Sequence, residues 1–522
     1  MATPQTNIYI CNNLRLNNKY EHSIYFASAS AQQSYFSGKT VKSFTAYSYV
    51  RKSWTLKVDA TMEQARTWSY LYFRNGSGKY YYYFINNIEY INEFTVELSL
   101  EIDVIQTYMF DYSLLRCFVE REHATSDNIG ENTLPENLEL GEFIVNNKTN
   151  YNLSSLAILV QSTFNPLTTS KDATDTVLAS RYDGIFSGLG IYAVSMDNWS
   201  AWGTKLKQLS EAGKIDGIVN MWMYPKSLIQ LADGETWSDG NVCHKVAGTT
   251  PDSFVIDNID KLDTYTPKNK KLFTYPYNFI YMTNNDGNSA IYHYEKFGIE
   301  GNKFNVTGTV GADASVRIYP IYYKSTPLNY DEGLSLGNFP TCAWNADAFK
   351  IWLAQNQSSL TLSAGVGALS IATGTASAIL GGPLGFAIGG GSITGGAQQV
   401  ASVLASVKDA SVQPPQARGK ASTSINVKNS THTFTYYQKS VDRYHARIID
   451  DYFTMYGYQT NRVKVPSIAG RKAFNYVKTI DCHITGNLCT EDLTKIENIY
   501  NNGITFWKNG DNIGDYSVDN TL

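Results

Sequence analysis

Between Lys350 and Lys408 the chain carries no Asp, Glu, Lys, Arg or His. At a charged fraction of 17%, a run this long begins at a given position with a probability on the order of 10⁻⁵, so it is a feature and not a fluctuation. Its residues are mainly Gly, Ala, Ser, Thr, Ile, Leu and Val. Leu360 to Leu380 is 21 residues long. As a helix that length spans about 30 Å, the thickness of a bilayer's hydrocarbon core. The apolar candidates for membrane insertion are Leu360, Leu362, Val366, Leu369, Ile371, Ile379, Leu380, Leu384, Phe386 and Ile388. Ala364, Ala368, Ala372 and Ala376 recur every four residues, and Gly381, Gly385 and Gly389 continue the stripe past Pro383. Small residues at this spacing let helices approach closely in lipid, and a proline marks where a helical hairpin turns. Arg418 and Lys420 follow Pro414-Pro415, placed to reach the headgroup level.

The same stretch has other readings. It is too apolar for a flexible linker. A pair of buried core helices stays open. Its Gly and Thr content keeps its hydrophobicity modest, which favours conditional entry into a membrane over a permanent anchor.

With 522 residues the chain exceeds the roughly 250–300 residues at which one core stops growing, so several domains are expected. The net charge of -4 argues against electrostatic capture of nucleic acid. It permits a channel along which DNA slides without sticking. Thirty-eight Tyr suit half-buried pleated surfaces and subunit contacts. The six cysteines are scattered, and Cys482, His483, Cys489 and the pair Cys243, His244 lack the spacing of a structural zinc site,. They read as core residues. The Asp-Gly turns lack an EF-hand's closing Glu, so no cofactor or metal is expected. No basic patch and apolar run opens the chain, so no secretory signal is expected and synthesis is placed in the cytoplasm.

Thr95 to Val104 alternates strictly: Val96, Leu98, Leu100, Ile102 and Val104 on one face, Glu97, Ser99, Glu101 and Asp103 on the other. That is a strand with one buried and one wet face. Glu97, Glu101 and Asp103 are either a solvated outer face or the acidic wall of a lumen. The preceding residues read as a hairpin turning at Asn86-Asn87, and Thr61 to Tyr72 has helical spacing of Met62, Ala65, Trp68, Leu71 and Tyr72. A second hairpin is expected at Asp286-Gly287. Lys439 to Tyr456 reads as a helix with Val441, Tyr444, Ile448, Tyr452 and Met455 on its apolar face, stopped by Gly457. LTKIENIYNNGI repeats that logic before Gly503.

Several segments resemble one family: EIDVIQTYMF (Glu101 to Phe110), VEREH (Val119 to His123), QPPQ (Gln413 to Gln416), GYQTNRVKVP (Gly457 to Pro466), RKAFNYVKTIDCHITG (Arg471 to Gly486) and NNGITFWKNGDNIGDYSV (Asn501 to Val518). They look like the distal tail knob, or major tail tube, proteins of small short-tailed picovirus-type phages that infect Gram-positive bacteria. The likeness is dense over the last seventy or so residues and around 85–125, and weak through 150–330. It implies a homo-hexameric tube at the tail tip, contacting a tail collar and other tail proteins and passing phage DNA without sequence-specific binding. It also implies a long hydrophobic loop that plugs the lumen and, on infection, enters the host cytoplasmic membrane. Residues 356–412 lie where that loop would lie.

The expected fold is mainly β with some helices, a β-rich α+β chain of several domains that assembles into a hexameric ring or tube. The divisions are 1–150 and 151–335, both β-rich, then 336–355 with 413–522 as an α+β part, and 356–412 as the loop. The competing function is a tail-associated receptor-binding or wall-degrading protein. No His-Glu-x-x-His or phosphate-loop motif occurs,. No catalytic residue is assigned, and the reading is a structural protein of the virion's distal tail.

Overall fold

A computed structural model describes residues 5–48, 54–124, 126–153, 155–167, 181–182, 185–186, 190–311, 314–337, 339, 341–342, 433–468 and 475–518. The segment 356–412, with every plug and small-residue candidate in it, lies outside the described residues. So do Arg418 and Lys420.

The chain forms two compact units, and the first is discontinuous: Met1–Phe143, Asp260–Tyr277 and Val441–Leu522. The second comprises Ile144–Ile259 and Asn278–Ser440. These units cut across the divisions expected from sequence. The beginning and end of the chain, read as separate parts, share one core, because Val477, Ile496, Tyr500, Phe506 and Trp507 pack with Ile10, Tyr70, Leu98 and Ile105.

In the first unit an antiparallel six-stranded sheet runs in the order Thr40–Ser48, Gln5–Asn12, Trp68–Arg74, Tyr80–Asn92, Thr95–Ile102, Thr55–Asp59. A second sheet orders His22–Ile24, Ile504–Trp507, Asn475–Ile480, Cys117–Glu122 and Tyr458–Lys464. Aromatic packing on the first sheet is dense: the Phe36 ring, on the helix Ala29–Gly38, stacks on Tyr70 at 5.3 Å and lies 4.6 Å from Tyr82. Such rings supply large buried area at low entropic cost.

The first unit corrects four expectations. The helix over Thr61 to Tyr72 shrinks to Met62–Ala65, and Trp68–Arg74 is a strand in the middle of the six-stranded sheet. Both faces of that strand are covered, with Tyr70, Leu71, Tyr72 and Phe73 all buried. The alternation that would betray a strand is therefore missing, and a helical period can be read into the run. The hairpin turns at Glu93-Phe94 and not at Asn86-Asn87, which sit at a bulge in Tyr80–Asn92. The Asn92 side chain accepts the Phe94 N–H at 3.0 Å, an Asx turn,. The strand from Thr95 stops at Ile102, because Asp103 caps a short helix, Val104–Tyr108. The fourth concerns the helix Arg443–Tyr456, which forms and ends at Gly457, but with a different face inward. Its buried residues are Ala446, Ile449, Asp450, Phe453 and Thr454, while Tyr444 is 67% and Ile448 50% exposed.

The second helix of the C-terminal part, Thr490–Asn502, forms as read and is followed by Gly503. Among the described residues the second unit has three larger sheets and a small pair of strands. One sheet, in the order Phe143–Asn152, Thr433–Val441, Asn278–Thr283, Ser289–Tyr292, contains the hairpin expected at Asp286-Gly287. Its inner face contributes Ile280, Met282, Tyr292 and Phe434 to a core with Trp222, Phe304 and Ile318.

Candidate functional site

The acidic face on Thr95–Ile102 can be built residue by residue. Val96, Leu98 and Ile102 point into the core, so Glu97 and Glu101 must point away from it,. Glu97 lies opposite Lys57 on one neighbouring strand and Glu89 on the other. The Lys57 ammonium is 3.5 Å from the Glu97 carboxylate, whereas among the described residues Glu89 receives an amide hydrogen bond from Asn87 at 3.1 Å and no cation. Glu101 accepts from Asn86 Nδ2 at 2.7 Å and Asn18 Nδ2 at 2.9 Å. The result is a cross-strand row of three carboxylates, with one lysine. Neutral amides hold Glu101 in place without cancelling its charge.

Asp103 does not belong to this face. It is buried, and its carboxylate accepts the Gln106 backbone N–H at 3.0 Å and the Tyr70 hydroxyl at 2.8 Å. Burial raises its pKa to about 6,. It acts as a helix cap inside the core, so it cannot serve as a lumen acid. Glu89 takes its place in the row. Only the true turn position brings Glu89 opposite Glu97, which is why a hairpin drawn through Asn86-Asn87 misses it.

Two exposed apolar features also escaped the sequence. The tip of the long hairpin presents Tyr90 (62% exposed) and Phe94 (67%) beside Ile91. The outward stripe of the helix Arg443–Tyr456 carries Tyr444, Ile448 and Tyr456. Exposed large apolar residues that cluster mark contact surfaces more often than chance. The sequence signal for the stripe was present, but was read as the core face.

Among the described residues no three of His, Cys, Asp and Glu gather into a metal-binding set. Cys482 is buried, and its thiol is pushed up to about 12 by burial. A protonated, buried thiol is a poor ligand and a poor nucleophile. Among the described residues no helix is long and apolar enough to cross a membrane.

Comparison with known proteins supplies the biological setting. The family model for the C-terminal domain of the tail knob protein gp9 of Bacillus phage phi29 matches residues 244–521, more than half the chain. A caudoviral major tail protein N-terminal model matches residues 4–113. The tail knob protein gp9 of Bacillus phage phi29 is 26% identical, over 99% of this chain and 98% of its own. That of Bacillus phage B103 is also 26% identical, with the same coverage. The solved structure of the bacteriophage C1 tail knob protein, gp12, superposes with a TM-score of 0.66 at 17% identity, covering 98% of each chain. That likeness extends the shared fold across both units. The chain belongs to the phage tail knob protein family, and is a structural component of the virion's tail and not an enzyme.

Proposed function

We propose that the chain forms the distal tube of a short tail as a homo-hexamer, and that residues 356–412 plug its lumen before infection. On infection this segment leaves the lumen and enters the host cytoplasmic membrane, and DNA passes through the tube into the cell. The observation that carries the reading is the charge-free run between Lys350 and Lys408, set in a chain that is 17% charged overall. A wet surface loop has no use for so many apolar residues, and a bilayer admits few charges.

The acidic row of Glu89, Glu97 and Glu101 fits a tube wall, because carboxylates facing a lumen repel phosphates and keep a passing duplex from sticking. Contact with collar and neighbouring tail proteins fits the exposed hairpin tip and helix stripe.

The test uses the full chain and two variants, Leu369→Asp and Ile379→Asp. Class averages of the purified protein by electron microscopy are expected to show six-fold rings with central density for all three. Leakage of dye from anionic liposomes is expected from the parent and not from the variants, since a carboxylate at mid-bilayer costs about 3 kcal/mol on insertion scales. Equal leakage by all three proteins, with rings intact, would remove the membrane role. Rings of another symmetry would remove the hexamer.

A further inference from the structure

A ring of more than two copies about one axis cannot be built from a single self-matching patch. Each copy must present one surface to the neighbour on one side and a different, complementary surface to the neighbour on the other. The first unit carries two exposed apolar patches whose charges are opposite in sign.

The first patch is the end of the long hairpin. Trp68–Arg74 pairs with the strand Tyr80–Asn92 only from Tyr80 to Phe84. Among the described residues no strand pairs with the remainder of Tyr80–Asn92 on that side. The hairpin end therefore stands clear of its neighbour there, while Thr55–Asp59 pairs with Thr95 to Ser99 on the other side and the Asx turn at Asn92 fixes the tip. From Glu89 to Phe94 every residue is exposed. Tyr90, Ile91 and Phe94 supply apolar area, and Glu89 and Glu93 make the patch acidic. Lys57 sits at Glu97, further down the strand.

The second patch is the outward stripe of the helix Arg443–Tyr456. Because Ala446, Ile449, Asp450 and Phe453 face inward, Tyr444 and Ile448 face out, with the half-buried Met455 beyond them. Arg443, Arg447 and Asp451 are exposed and four residues apart, so they line one side of the stripe,. Its first two turns are basic, and the whole keeps a net positive charge.

The pairing of the two patches identifies the occupant. Tip against tip sets Glu89 and Glu93 against carboxylates, and stripe against stripe sets arginines against arginines. Like charges so placed are a penalty that excludes the wrong partner. Tip against stripe joins apolar surface to apolar surface and brings carboxylates to guanidinium groups, the charge-assisted contact that arginine makes best. One chain offers both halves, so the partner that satisfies both is a second copy of it.

We propose that the hairpin end of one copy docks on the outward stripe of the helix Arg443–Tyr456 of the next. Tyr90 and Phe94 cover Tyr444 and Ile448 of that copy, and Glu89 and Glu93 meet its Arg443 and Arg447. The inference rests on the hexameric reading above, which requires a head-to-tail contact without saying where it lies.

The experiment compares the full chain with charge-reversed variants by analytical ultracentrifugation over a range of concentrations, with class averages by electron microscopy. Glu89→Lys with Glu93→Lys reverses the tip, Arg443→Glu with Arg447→Glu reverses the stripe, and a third variant carries all four changes. Each reversal alone is expected to raise the concentration for half-assembly at least about tenfold, and the four together to return it to within about threefold of the parent. An equimolar mixture of the tip-reversed and stripe-reversed chains is expected to assemble with the two alternating, which also shows that both are folded. Ile448→Ala is expected to weaken assembly while leaving the unassembled chain's unfolding midpoint unchanged. Rings from both reversed variants at the parent's concentration would overturn this contact and leave the hexamer standing. A parent that stays monomeric would overturn the hexamer, and the contact with it. Loss of assembly in both reversed variants, with recovery neither in the mixture nor in the chain carrying all four changes, would overturn the contact as well, since the two patches would then meet different partners.

Discussion

Asn269 and Asp450 are joined by three hydrogen bonds. The Asn269 backbone N–H and side-chain Nδ2 reach Asp450 Oδ1 at 3.0 and 2.7 Å, and the same Nδ2 reaches the Asp450 carbonyl at 3.0 Å. Tyr265 and the Lys268 N–H complete the carboxylate's shell at 2.7 and 2.8 Å. This one buried acid, on the inward face of the helix Arg443–Tyr456, receives the short excursion Asp260–Tyr277 into the first unit. A second buried acid, Glu136, does the same through Lys271 at 2.7 Å, together with Arg121 and the Gln459 N–H.

Asp450→Ala removes the acceptor of four hydrogen bonds at once, two of them from the buried Asn269, and a buried group left unsatisfied costs about 1–3 kcal/mol. The expected loss is about 3–5 kcal/mol in chemical unfolding of the first unit. Limited proteolysis is expected to open first within 260–277. An unchanged unfolding midpoint would show that the excursion is held by other means.

The Asp103 carboxyl gives the fold a pH dependence of known sign. Burial raises it to about 6 in the folded state, against about 3.9 in an unfolded chain. The folded state therefore binds the proton more tightly, and the group's contribution is full below about pH 4 and is lost as pH rises through about 6. Asn in its place keeps the cap on Gln106 but does not titrate. Asp103→Asn is expected to remove up to about 3 kcal/mol of the stability change between pH 4 and 7. Parallel stability curves for parent and variant across that range would refute the assignment.

The inward face of the helix Arg443–Tyr456 can be read by alanine substitution. Ile449 is buried and Ile448 half exposed. Ile449→Ala is expected to cost about 2–4 kcal/mol in thermal or denaturant unfolding, and Ile448→Ala less than about 0.5 kcal/mol in the unassembled chain. Equal losses would restore the face suggested by the sequence period.

Gly457 ends that helix at φ +65°, and a Cβ there would stand 2.3 Å from the Glu122 carbonyl oxygen. Backbone sits on that side, so no rotamer relieves the clash. Gly457→Ala is expected to destabilise by more than about 2 kcal/mol, well beyond the roughly 1 kcal/mol of an unhindered left-handed position. A smaller loss would mean that the strand Cys117–Glu122 yields easily.

Much was legible in the chain itself because it rests on local chemistry. The helix stop at Gly457, the hairpin at Asp286-Gly287, the alternation of Val96, Leu98 and Ile102, and the helix before Gly503 depend on residues within a few positions of one another. The charge-free run is likewise a property of composition alone, as is the argument that it suits a bilayer better than water. Tertiary structure decided the rest, because burial is a property of neighbours. Trp68–Arg74 is a strand because strands pair with both its edges and its two faces are buried, which erased the period that names a strand. Asp103 and Asp450 are core residues because tyrosine hydroxyls and backbone N–H groups from distant segments meet them. Glu89 faces Glu97, and Lys439 rides over Tyr281, only once register is set between strands. Register and long-range partners are paid for by contacts far apart in sequence, and no window of neighbouring residues contains them.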